Sequence, residues 1–156
     1  MNTWYQSGTE VIFACGGAIY TSVAEAAAAN GGKVIGVDTD QAAVIDSLYG
    51  EGITVTSALK GLYPTTIDTL TDIVLNENWN NYAGKIANLG LVSKTDVEAN
   101  YVQLPLGSTH WSSTFTEDAY KSLVEKIYDG TIKISNDVSA MPVVEFVQIE
   151  DMGNLK

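Results

Sequence analysis

The residues of this chain that could do chemistry are few and well separated. Asp38 and Asp40 flank a threonine in "GVDTDQ", Lys60 stands alone in "TSALKG", Gly16-Gly17 interrupt "FACGGAIY", and Cys15 and His110 are the single cysteine and histidine. Two carboxylates that close could do acid–base work, but acids beside a threonine at the end of an apolar run more often accept from hydroxyls or cap turns. His110 sits in "GSTHWSSTF", where serines are near, but a triad needs three groups brought together and no local pattern does that. It reads as a structural histidine. No G-x-S-x-G elbow, phosphate-binding loop or His-rich metal spacing occurs. Binding is therefore the expected activity, and catalysis is not.

Strands must place these groups. Val11 to Ala14 is a short, continuous apolar run, as expected of a buried parallel strand, and Gly16-Gly17 break it. An alanine-rich helix is predicted over Ala18 to Ala29, with Asn30-Gly31-Gly32 to stop it, and Lys33 to Val37 reads as a second buried strand. A unit this short is a right-handed parallel crossover, so Gly16, Gly17 and Asp38 are expected at one carboxyl edge of the sheet. Cys15 reads as a buried strand-end residue; "VIFAC" ends like a lipoprotein signal but lacks its basic start and long apolar stretch.

Ile53 to Thr56 is a third strand candidate and puts Lys60 just past its end. Pro64 suits a first helical turn, and Ile67, Leu70, Ile73 and Val74 form the stripe of a helix expected to run to about Asn76 and to pack on the sheet. Asn78 to Asn100 is turn-rich, and Tyr101 to Leu104 is a further strand candidate. Thr116 is placed to cap a last helix, with Ala119, Leu123, Val124 and Ile127 facing inward and Gly130 ending it. Thr131 to Ile134 and Val143 to Ile149 read as late strands. The expected fold class is α/β: three layers, a mostly parallel sheet with flanking helices.

Composition narrows the partners. With 156 residues and 46% apolar content the chain can bury one core. Eight basic against 19 acidic residues, a net charge of -11, argue against nucleic acid, whose phosphates need clustered Lys and Arg. One cysteine excludes a disulfide framework within the chain, and zinc would lack its usual ligands. Two readings stay open beside ligand transport. Asp38 lies 21 residues after Gly17, where dinucleotide-binding enzymes hold a ribose hydroxyl, although "GGAIYTS" lacks the G-x-G-x-x-G spacing. Alternatively the glycines only turn the chain and Asp38 caps a loop in a structural or regulatory module.

"GTEVIFACGG", "KVIGVDTDQ" and "VTSALKG" stand in the order and spacing of the basic membrane protein family, the purine-nucleoside-binding lipoproteins of bacterial ABC importers. "YVQLPLGSTHW" and "FTEDAYKSLVEKIYDGTIKISND" resemble that family's C-terminal region, so the likeness spans nearly the whole chain. It implies part of a type I periplasmic-binding fold, two α/β lobes with the ligand between them. It also implies a C-terminal half, with the signal, the lipobox cysteine and the first lobe upstream. Residues 1–38 would then close the second lobe's strand-helix-strand, and 39–156 would cross the cleft and contribute to both lobes.

By the same resemblance Asp38 and Lys60 grip the ribose hydroxyls, and Gly16 and Gly17 let the sugar approach backbone N–H groups. Charge-assisted bonds from a carboxylate and an ammonium suit that task. Ala18, Ile19 and Tyr20 stand where the family more often has glycine or small residues, which implies a pocket of different shape. The implied function is a non-enzymatic substrate-binding subunit without cofactor that delivers a nucleoside to an ABC permease. Its implied place is outside the cytoplasm, lipid-anchored to the membrane. A lone half is expected to self-associate, because the stripe from Ile67 to Val74 would lose its cover.

Overall fold

The computed structural model describes residues 1–153. A short helix α1 (Asn2–Gln6) leads into strand β1 (Val11–Phe13), a 3-10 turn (Gly17–Ile19) and helix α2 (Tyr20–Asn30). Strand β2 (Lys33–Asp38), helix α3 (Ala42–Tyr49) and strand β3 (Thr54–Lys60) follow. Helix α4 (Leu62–Leu70) continues as a π-helical turn (Thr71–Leu75), and strand β4 (Val102–Gln103) and helix α5 (Glu117–Tyr128) come last. The sheet order is β1-β2-β3-β4, with β1, β2 and β3 parallel and β4 antiparallel to β3. This is a mixed α/β fold with a mostly parallel sheet.

The pleat decides which side is covered. Ile12 and Val34 point to one face and pack there with Val23, Ala24, Ala27 and Ile45 of α2 and α3. Three buried alanines, Ala24, Ala26 and Ala27, give α2 a thin inner face that lets it lie close to the sheet. Gly31, at φ 70, ends α2 in the left-handed conformation that suits glycine. The opposite face holds Val11 and Phe13, the latter 49% exposed. Three layers were expected; α2 and α3 pack together on one face, where the main core lies.

A second core, Val97, Tyr120 and Val124 with Trp111 and Leu104 against it, lies under α5 and holds the loops after β3. Thr116 Oγ1 caps α5 by accepting from Ala119 N at 3.2 Å, as expected, and Gly130 follows the helix at φ 74. The inward residues of α5 are Tyr120 and Val124, with Ala119, Leu123 and Ile127 only half-buried.

Several expectations are corrected. Helix α4 begins at Leu62, and neither it nor its π turn buries a residue, so the stripe at Ile67, Leu70 and Val74 faces outward instead of packing on the sheet. No strand forms over Thr131 to Ile134 or Val143 to Ile149. Alternation of apolar residues supplies a strand's faces but not its partner, and the sheet ends at β1 and β4 without them. Cys15 is exposed, because the pleat turns Ala14 inward and the next residue out. Helix α3 was not expected at all. Asp40 Oδ1 accepts from Ala42 N at 3.1 Å at its start, and Gly50 follows its end.

Candidate functional site

Asp38 is the last residue of β2 and Lys60 the last of β3, and the parallel pairing of Asp38 with Leu59 sets them side by side. Lys60 Nζ lies 2.7 Å from Asp38 Oδ1. The pair is not hidden: the side chains are 37% exposed for Asp38 and 68% for Lys60. Asp38's hydrogen bond, with its negative charge adding, raises the pKa of the Lys60 ammonium. Asp38 also carries φ 72, a left-handed backbone that aspartate adopts more readily than most residues, though less readily than glycine.

Both side chains line an open cleft of about 320 Å³ between the β2–α3 turn, the β3–α4 turn and β4. Thr39, Asp40, Tyr63, Glu98 and Gln103 also reach it. Its volume falls at the low end of roughly 300–1,000 Å³ for small-molecule sites. Among the described residues no cluster of His, Cys, Asp and Glu is arranged to hold a metal ion.

The two acids have different work. Asp40 is occupied on both oxygens: Oδ1 accepts from Ala42 N at the start of α3, and Oδ2 accepts from Ser108 Oγ at 2.6 Å, tying the distant 105–111 loop to the cleft's rim. Asp38 keeps its carboxylate toward Lys60 and the cleft. Sequence spacing treats Asp38 and Asp40 alike; their hydrogen bonds separate them.

Gln41, buried, fixes the site from behind. Its side-chain carbonyl accepts from Val37 N at 3.0 Å, its backbone N donates to Ser57 Oγ at 3.1 Å, and its side-chain amide reaches Gly17 O at 3.5 Å. One residue thus ties the glycine turn, the exit of β2 and the middle of β3. Gly36 makes the space: a Cβ there would come within 2.7 Å of both Gln41 Oε1 and Ser57 Oγ. Sequence reasoning missed Gln41, whose only signal is its place next to a strand end.

Gly16 and Gly17 sit just past β1 at the same sheet edge as Asp38, as the crossover requires. They do not line the cleft with Asp38 and Lys60. Gly17 adopts φ 43 and turns the chain into α2, and Ile19 folds back against Gly16, where a Cβ would meet its Cδ1 at 2.7 Å. His110 is exposed and joins the fold through its backbone, whose N donates to Val55 O at 2.8 Å.

Gly61 sets the other wall. A Cβ at Gly61 would collide with the carbonyl of Asn100 and lie 2.9 Å from Tyr101 Cα, so the chain leaving β3 runs directly against the segment entering β4. Gly61 N donates to Tyr101 O at 2.9 Å across that contact. This close approach holds Tyr63 and Pro64, the second and third residues of α4, at the cleft. Chemically the cleft offers a carboxylate and an ammonium paired with it, a combination that can accept from and donate to a ligand's hydroxyls. No family model matches the chain, and no curated protein or solved structure matches it either.

Proposed function

We propose that this chain is part of the substrate-binding subunit of an ABC importer and holds a nucleoside, a purine nucleoside by the resemblance, through its ribose. The observation that carries the reading is the Asp38–Lys60 pair, 2.7 Å apart at the mouth of an open cleft. A vicinal diol can donate to the carboxylate and accept from the ammonium, and the exposed pair can open to admit it at little cost, since surface ion pairs are weak. The order and spacing of "VIFACGG", "KVIGVDTDQ" and "TSALKG" support the same reading.

In this proposal Asp38 and Lys60 orient the sugar, and the glycine turn at Gly16 and Gly17 shapes the sheet edge behind them. The chain catalyses nothing and needs no cofactor; its partners are the nucleoside and permease subunits, met outside the cytoplasm on a lipid anchor. It supplies one wall of the cleft and a periplasmic-binding lobe supplies the other, which accounts for the exposure of Lys60. Binding by residues 1–156 alone is then no tighter than millimolar, and a micromolar dissociation constant would show that the pocket is complete without a second wall. An NMR screen with inosine, guanosine, adenosine, NAD and ribose, each taken above its expected millimolar dissociation constant, tests the reading. Inosine or guanosine is expected to perturb Asp38 and Lys60; a response to NAD alone would favour a dinucleotide enzyme, and no response to any of them a structural module.

A further inference from the structure

Asp38 is the middle residue of a three-residue turn: Thr39 N donates to Val37 O at 2.9 Å around it, and with φ 72 at Asp38 this is the rare, strained form of the γ-turn. A residue keeps such a conformation only where its surroundings hold it there. The hold comes from Gln41. Its side-chain carbonyl takes the N–H of Val37, where the turn begins, and its own backbone starts α3, where the chain leaves the turn, so one residue clasps both ends. Gln41 is itself pinned: it is buried, its backbone N donates to the hydroxyl of Ser57, which is fully buried on β3, and Ile45 N donates to Gln41 O at 2.9 Å.

The amide fits one way round. Val37 N is a donor and needs the carbonyl oxygen, whereas Gly17 O, 3.5 Å from Nε2, is an acceptor and needs the NH2 group. The side chain therefore spans from the γ-turn to the glycine turn after β1, behind the cleft and not in it. We propose that Gln41 is the positioning residue of this site: it holds the γ-turn that aims the Asp38 carboxylate at Lys60, and it ties that aim to the glycine turn. What this does to a bound nucleoside rests on the ribose reading above; what it does to the ion pair does not. Without the amide, Asp38 relaxes toward ordinary backbone angles and its carboxylate swings away from Lys60 Nζ.

The test is NMR of the full 156-residue chain in wild type, Gln41→Met, Asp38→Ala and the double variant. Gln41→Asn, one methylene too short to reach Val37 N, replaces Gln41→Met should that fail to fold. Two signals are read: exchange of the Lys60 ammonium protons with water, which the ion pair slows, and the affinity for inosine. Gln41→Met is expected to quicken the Lys60 exchange most of the way to its rate in Asp38→Ala. It is also expected to weaken inosine by roughly threefold to tenfold, with no further loss in the Asp38→Ala background. Asp46→Asn, which loosens the start of β3 but not the turn, is expected to leave the Lys60 exchange as in wild type. Exchange unchanged in Gln41→Met would overturn the proposal, and so would exchange quickened as much by Asp46→Asn, because general loosening would then explain it. An equal loss of inosine from Gln41→Met with and without Asp38 would overturn it too, since Gln41 would then act on the cleft by another route. Faster Lys60 exchange, with inosine indifferent to Gln41→Met and Asp38→Ala alike, would leave Gln41 in its role and overturn the ribose reading.

Discussion

Lys60 Nζ and Asp38 Oδ1 stand 2.7 Å apart because two adjacent parallel strands end at the same level, each on a charged residue of opposite sign. Neither charge serves the core, and Asp38 holds its position at φ 72, a conformation glycine would adopt without strain.

Asp38→Gly is accordingly expected to stabilise the fold, or at worst leave it unchanged, since about 1 kcal/mol of backbone strain is relieved. Nucleoside binding is expected to be lost at the same time. Urea unfolding followed by circular dichroism measures the first effect and NMR titration the second. A clear fall in the unfolding midpoint would show that the ion pair with Lys60 supports the fold more than the strain harms it.

Asp46 is the acid on which the sheet's geometry leans. From α3 its Oδ2 accepts from Gly52 N at 2.9 Å, and its Oδ1 accepts from Thr54 N at 3.0 Å and Thr54 Oγ1 at 2.8 Å, locking the start of β3. Burial pushes the Asp46 pKa up, but the Thr54 and Gly52 bonds, with the charge of His110, together outweigh it and hold it below the ordinary value. A carboxyl lowered by folding contributes stability above its unfolded pKa of about 4, and loses that contribution as pH falls through the lower folded value. Asp46→Asn is therefore expected to cost about 1–2 kcal/mol at pH 7, with the difference from wild type shrinking below about pH 4. Denaturant melts of both proteins at pH 7 and pH 3 check this; a difference independent of pH would contradict it.

The outward stripe of α4 and the bare face of β1 predict association. Ile67, Leu70, Val74 and Leu75 form a shallow apolar depression, and Phe13 adds a ring on the uncovered side of the sheet. Surfaces of this kind seek cover. The net charge of -11 opposes self-contact, and salt screens it. Light scattering is expected to show a dimer at moderate salt that weakens as salt is lowered. A strict monomer that binds no hydrophobic dye would refute the expectation.

What could be read from sequence was the sheet that carries the pair. The apolar runs at Val11 to Ala14 and Lys33 to Val37 and the alternating Ile53 to Thr56 each mark a strand, although β3 starts at Thr54 and runs on past Thr56 to include Lys60, which was expected beyond its end. Asp38 and Lys60 were legible because strand ends are sequence-local. Gln41 was not, because its partners Gly17, Val37 and Ser57 come together only when three elements pack. The failed strand at Val143 to Ile149 shows the converse: "VVEFVQI" has the residues of a strand, yet Phe146 is 96% exposed, since strand formation needs a neighbour that no local pattern names. Helix α4 carries the right stripe for a packed helix and still stands off the sheet, because a stripe states what could be buried and not what covers it.

The most direct test of the central claim is an NMR titration of wild type and Asp38→Ala with inosine and with 2′,3′-dideoxyinosine. If Asp38 grips the ribose diol, removing either the carboxylate or the two hydroxyls weakens binding by about tenfold or more, and removing both costs little beyond removing one. If Asp38→Ala binds inosine within roughly threefold of wild type, or if the dideoxynucleoside binds wild type as well as inosine does, the ribose assignment is contradicted.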